Sequence, residues 1–316
     1  MKFLNGVAQR SDTEIRKIIR EALATSWELL KITIPVVIIT KILEEMGMIT
    51  LLSAFMEPVM GLIGLPGALG LVWATALFTN LYAAMVVFAS LVPLLDLNVA
   101  QVTVIGSVML IAHSFPLELT ISKKAGAPFT PIGLLRLTAA FIYGFLLHNL
   151  SSIFQFWQGP ATILFQAERQ AENLWLWAAG QLKNFALIIM VIFCITVIMK
   201  ILRVTGVLSL FERLLEPILP FFGMSRKAAP VTVVGMVMGI SYGGALIIRE
   251  TSSGLMGKRE IFFSLALMGL SHSLVEDTLL MVALGGHWGG LLVGRIVFSL
   301  AVIYLLALST RQKKLN

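Results

Sequence analysis

Two histidines and three acids sit inside long apolar runs of this sequence. His113 and Glu118 fall in VTVIGSVMLIAHSFPLELTIS; His272, Glu276 and Asp277 fall in IFFSLALMGLSHSLVEDTLLMVAL. Ionisable side chains are costly in hydrocarbon, so those found there usually mark a pathway or a mutual partner. Imidazole changes charge near neutral pH and carboxylates hold cations, so the set can coordinate a polar solute, carry a coupling proton, or do both. Read as ligands, His113, His272, Glu276 and Asp277 are also an alternative set for a transition metal, although their spacing is not a metal motif by itself. On an unbroken helix His272 and Glu276, four apart, would share a face. The competing reading is structural: the histidines satisfy the backbone of interrupted helices.

A second tier of polar residues accompanies them. Ser114 and Ser273 each follow one of the histidines. Asn80, Tyr82, Ser241 and Tyr242 lie at weak points of two further apolar segments, where exposed backbone groups and half-helix dipoles can receive a polar solute. Arg249, Arg136 and Arg295 are candidate contacts for an anionic group. Arg249 reads first as a topology anchor, and Arg136 and Arg295 can snorkel or pair with Glu118 and Asp277.

The elements that must position these residues are transmembrane helices. Of 316 residues, 58% are hydrophobic and only 13% charged. That is too apolar for a soluble surface, and several apolar stretches approach or exceed the length that spans a bilayer. Ten-residue alternating strands are absent, which argues against a β-barrel. The net charge of +7 comes from basic residues at helix ends, where anionic lipid is a better partner than nucleic acid. Cys194, the one cysteine, excludes an intrachain disulfide. Residues 11–24 (SDTEIRKIIREALA) read as an amphipathic helix on the cytoplasmic surface rather than a cleavable signal. Phosphate-loop, zinc-protease and serine-hydrolase signatures are absent, so the expectation is a non-enzyme without a cofactor.

The sequence also matches itself at an offset of 159. Lys41-Ile42-Leu43 meets Lys200-Ile201-Leu202, Glu57-Pro58 meets Glu216-Pro217, and His113-Ser114 meets His272-Ser273. Glu118 meets Asp277, Gly126 meets Gly285, and Arg136 meets Arg295. Two copies of one unit are expected. Basic residues flank the first helix of the first unit on its leading side but that of the second on its trailing side, so the copies should be inverted, with both termini cytoplasmic. Inversion needs an odd number of crossings. The segments 66–92 and 228–248 are therefore expected to be re-entrant hairpins, with tips at Thr79–Tyr82 and at Gly239–Gly244.

A re-entrant hairpin followed by an interrupted helix, duplicated and inverted, resembles the transport core of concentrative nucleoside transporters. Met238-Gly-Ile-Ser-Tyr-Gly-Gly-Ala-Leu-Ile-Ile-Arg-Glu250 with His272-Ser-Leu-Val-Glu-Asp-Thr278 is similar to the nucleoside-recognition, or gate, domain family, which includes gate segments of ferrous-iron permeases. The first unit departs from that text, with FTNLYAAMVVFAS in place of the Gly-Gly and Arg-Glu pairs, and neither copy has the cysteine-containing iron-permease motif. The expected architecture is an all-α polytopic membrane protein. It comprises an amphipathic surface helix (1–25), gate unit 1 (26–150), an interfacial linker (151–184) with a helix expected over 159–183, inverted gate unit 2 (185–308) and a cytoplasmic tail (309–316). The expected function is a secondary permease of the bacterial inner membrane for a small polar solute, nucleoside-like by resemblance. A divalent-metal permease, a membrane partner subunit and an enzyme on lipid-linked substrates are the alternatives. Expected partners are the lipid bilayer and a small-molecule or ionic substrate, with a homo-oligomer allowed.

Overall fold

A computed structural model describes residues 34–164, 173–222, 224–225, 228–252 and 256–312, with residues 23, 27, 30 and 31. The surface-helix segment 11–24 therefore lies almost wholly outside the described residues. Regular structure among those described is helical, apart from one isolated bridge between Asn98 and Pro160. The protein is an all-α, multi-pass membrane protein, with five described spans long and apolar enough to cross a bilayer.

The first half comprises α1 (34–45), α2 (Met48–Gly61), α3 (Leu69–Phe78), α4 (Leu81–Leu91), α5 (Val99–Ile111), α6 (Phe115–Lys124) and α7 (Phe129–Ile153). The second comprises α8 (Leu174–Val204), α9 (Val207–Leu215), α10 (Ala228–Met238), α11 (Ile240–Ser252), α12 (Lys258–Ser271), α13 (Glu276–Ala283) and α14 (Arg295–Gln312), the last entered through a π-helical turn at Gly289–Gly294. Helices α2, α3, α4 and α5 begin 159 residues before α9, α10, α11 and α12. Left-handed backbone recurs at the same spacing. The φ angles are 68° and 77° at Gly47 and Gly206, 49° and 45° at Ser114 and Ser273, and 100° and 97° at Gly126 and Gly285.

The arms of each hairpin are short. Helices α3 and α4 have 10 and 11 residues, and α10 and α11 have 11 and 13. At about 1.5 Å per residue each arm is roughly 15–20 Å long, against a hydrocarbon core of about 30 Å. The arms pack against one another within each pair. The first pair turns at Thr79–Asn80, where Asn80 is extended and its side chain accepts the Ala83 N–H at 2.9 Å, capping α4. The second turns at Gly239 alone, with φ of 98°. Gly243 and Gly244, expected in the turn, are inside α11. They serve close packing instead: a Cβ on Gly243 would lie 2.5 Å from the Gly235 Cα, and one on Gly244 would overlap Ile121.

The chain next builds two interrupted spans, Val99–Lys124 (α5 with α6) and Lys258–Ala283 (α12 with α13). Each has its histidine at the fifteenth of 26 residues, counting from Val99 to His113 and from Lys258 to His272. Pro116, the second residue of α6, accounts for the first break. The second has no proline, yet the helix stops at Ser271 and restarts at Glu276. Hairpin contacts hold both open. The Ser114 N–H donates to the Ala76 carbonyl at 2.9 Å, and the Leu274 N–H to the Met236 carbonyl at 3.0 Å. The second break also separates His272 from Glu276, so they do not share a helix face.

Both interrupted spans are central: 72% of each apolar window is buried, against 22% for α8. Exposed Phe55, Phe78, Trp175 and Leu305 give the periphery its apolar surface, as lipid requires. The expected linker is shorter than 151–184, because residues 151–153 complete α7 and 174–184 begin α8. Its described part after α7, 154–164, is not helical. The Gly159 and Trp157 carbonyls accept the Val99 and Ala100 N–H groups, capping α5. Residues 309–312 continue α14 rather than starting a tail.

Candidate functional site

Both interruptions bring a histidine to the end of a helix whose last carbonyls have lost their intrahelical partners. The Nδ1 of His113 lies 2.9 Å from the Met109 carbonyl, and that of His272 lies 2.9 Å from the Met268 carbonyl. A carbonyl only accepts, so each Nδ1 carries the proton of its hydrogen bond. In the neutral rings both Nε2 atoms are then bare acceptors, and they face one another at 3.3 Å with ring centroids 4.9 Å apart.

Glu118 completes the centre. From the first turn of α6, its Oε1 lies 3.2 Å from both Nε2 atoms, and its Oε2 lies 2.6 Å from Nη1 of Arg136. Arg136, on α7, is fully buried. It also donates Nε–H to the Ile111 carbonyl at 2.9 Å and Nη2–H to the His113 carbonyl at 3.1 Å, and it lies 5.0 Å over the Phe115 ring. One guanidinium thus caps the broken end of α5 and orients the carboxylate. Gly269 on α12 lets it through, since a Cβ there would lie 3.0 Å from the Arg136 Cδ.

The second half repeats the residue types with different partners. Asp277 is buried, with Oδ2 4.0 Å from the His113 Nε2. Arg295 is fully buried and donates to Thr278 Oγ1 at 3.5 Å, while its Nε and Nη1 find no hydrogen-bond acceptor among the described residues. Glu276 has no acidic counterpart in the first half, where Leu117 stands 159 residues earlier. Its Oε1 lies 3.4 Å from the Tyr82 hydroxyl, linking the first hairpin to the second break.

The candidates thus divide. His113, Glu118, His272 and Asp277 converge, with Glu276 and Tyr82 beside them. Ser114 and Ser273 are the left-handed residues of the breaks, and the Ser114 hydroxyl donates to the Thr79 carbonyl at 3.1 Å. Asn80 is spent as a helix cap. The backbone of Ser241 and Tyr242 is helical, but their side chains lie outside the described residues. Arg249 is exposed on α11 and does not join the buried centre. Arg136 is bound to Glu118 rather than free to receive an anion. Three residues of two spans, His113, His272 and Asp277, offer ligand atoms within 4.8 Å of one another. Glu118 Oε1 is closer still to both imidazoles, at 3.2 Å from each Nε2, and Glu276 is not part of that group. The Met109 and Met268 carbonyls had no signal in the sequence.

Among proteins of known sequence, the chain is 26% identical over 299 residues to the uncharacterized membrane protein YvoD of Bacillus subtilis (strain 168), covering 92% of each chain. No family model matches the chain, and no solved structure matches it.

Proposed function

We propose that this chain is a secondary permease in which a small polar solute or ion passes between two hairpins and two interrupted helices. The observation that carries this reading is the meeting of the two helix breaks, midway along their spans, at a buried centre of two imidazoles and two carboxylates. Burying that many ionisable groups in a bilayer-spanning protein is costly, and the fold goes further by unwinding two helices to bring them together. Arms too short to cross the membrane and tied to each break can shift with it, giving access from alternate sides. On this reading the copies are oppositely oriented, with both termini cytoplasmic in a bacterial inner membrane; the three described spans of the second half fit an odd number of crossings per copy. The resemblance to gate domains makes a nucleoside-like solute the first to test.

The test is uptake into liposomes containing the purified chain, using labelled nucleosides, nucleobases and divalent ions. Uptake above empty vesicles that Glu118→Gln reduces at least about tenfold is expected, because the centre loses its closest carboxylate. Flux equal to empty vesicles for the whole panel, or flux unchanged in Glu118→Gln, refutes the reading.

A further inference from the structure

We propose that the meeting point of the two breaks binds one divalent transition-metal ion of the zinc class, with His113, His272 and Glu118 as ligands and Asp277 as the fourth. The inference rests on the permease reading only in naming the ion as its cargo; the site itself stands on geometry.

Three acceptor atoms lie close together. The atoms His113 Nε2, His272 Nε2 and Glu118 Oε1 form a triangle with edges of 3.3, 3.2 and 3.2 Å. Ligands about 2.0–2.1 Å from a tetrahedral zinc lie about 3.3 Å apart, so the triangle has the dimensions of one face of such a site. The protons sit where a metal site needs them. Both Nδ1–H groups are held by backbone carbonyls, and Arg136 holds the second oxygen of Glu118, the outer-shell arrangement that orients metal ligands. A single proton would serve only two of the three acceptors at once, whereas a metal ion serves all three. Asp277 Oδ2 lies 4.0 Å from His113 Nε2, and His113, His272 and Asp277 offer ligand atoms within 4.8 Å of one another, so a short side-chain movement would bring Asp277 to the ion. Two imidazoles with carboxylates favour zinc, cobalt or similar borderline ions over magnesium or calcium, which prefer all-oxygen sites.

The test uses the full chain purified in detergent, stripped with a chelator and titrated with Co2+, then with Zn2+ in competition. The expected result is one Co2+ per chain with the intense visible absorption of a tetrahedral site, displaced by Zn2+. X-ray absorption of the zinc-loaded wild-type chain should show two imidazoles and carboxylate oxygens at about 2.0–2.1 Å. His113→Gln and His272→Gln should each weaken binding by about 100-fold or more, at least the loss seen for an outer-shell partner. Unchanged affinity in the double variant His113→Gln/His272→Gln overturns the site. So does a wild-type absorption spectrum lacking imidazole or containing sulfur, a measurement that needs no variant to fold. Zinc bound at the centre without zinc flux into liposomes keeps the site and removes the cargo role. Nucleoside uptake by a chain that binds no metal removes the site and keeps the permease.

Discussion

Replacing Arg136 by methionine should damage this protein more than any exposed charge change, because one fully buried side chain does two jobs. The substitution keeps an unbranched stem of similar length but deletes the 2.6 Å ion pair to Glu118 and the hydrogen bonds to the Ile111 and His113 carbonyls. Removing one partner of a buried pair costs about 3–5 kcal/mol, since the remaining charge is stranded. Each orphaned carbonyl adds about 1 kcal/mol or more. The sum, about 5–7 kcal/mol, is comparable to the whole stability of many folded domains. Adding Glu118→Gln to Arg136→Met should restore about 2–3 kcal/mol, because the stranded charge is gone while the carbonyls stay uncapped. Equilibrium unfolding in mixed detergent micelles, followed by tryptophan fluorescence, would measure the four corners of this cycle. An Arg136→Met protein within about 1 kcal/mol of wild type, or a double variant less stable than Arg136→Met alone, would refute the idea that the guanidinium exists to hold this carboxylate and this helix end.

Other positions test the elements around the centre. Gly243→Leu should prevent the α10–α11 pair from closing, because the new side chain meets backbone at Gly235 rather than a flexible tip; monodisperse protein at wild-type yield would contradict this. Tyr82→Phe should change stability by less than about 1 kcal/mol, since the bond to Glu276 is long, yet alter transport rate; unfolding and uptake on the same preparation separate the two. Arg249→Gln should leave unfolding within about 0.5 kcal/mol of wild type, as expected for an exposed side chain; a loss comparable to Arg136→Met would place Arg249 in the buried network after all. Trp157→Ala should loosen the linker, because Trp157 stacks on His287 at 4.7 Å and its carbonyl caps α5; faster hydrogen exchange at Val99 and Ala100 is the readout.

The membrane class, the apolar spans and the ionisable residues inside them follow from the sequence, because hydrocarbon imposes composition on every residue it touches. The 159-residue register is also there to be read, and helix starts and left-handed residues recur at it. Tertiary structure decided what those residues do. Which carboxylate faces the imidazoles depends on how α6 and α13 dock, so Glu118 rather than Glu276 closes the triangle. The second break carries no proline and is held open by a backbone hydrogen bond from another helix pair, an interaction with no residue-type signature. Gly243 and Gly244 look like a turn in the text, but helix crossing distances turn them into packing contacts. Above all, the Met109 and Met268 carbonyls that fix both imidazole tautomers are backbone groups common to every residue. Only the ends of broken helices leave such carbonyls free, and only the assembled fold sets two of those ends face to face.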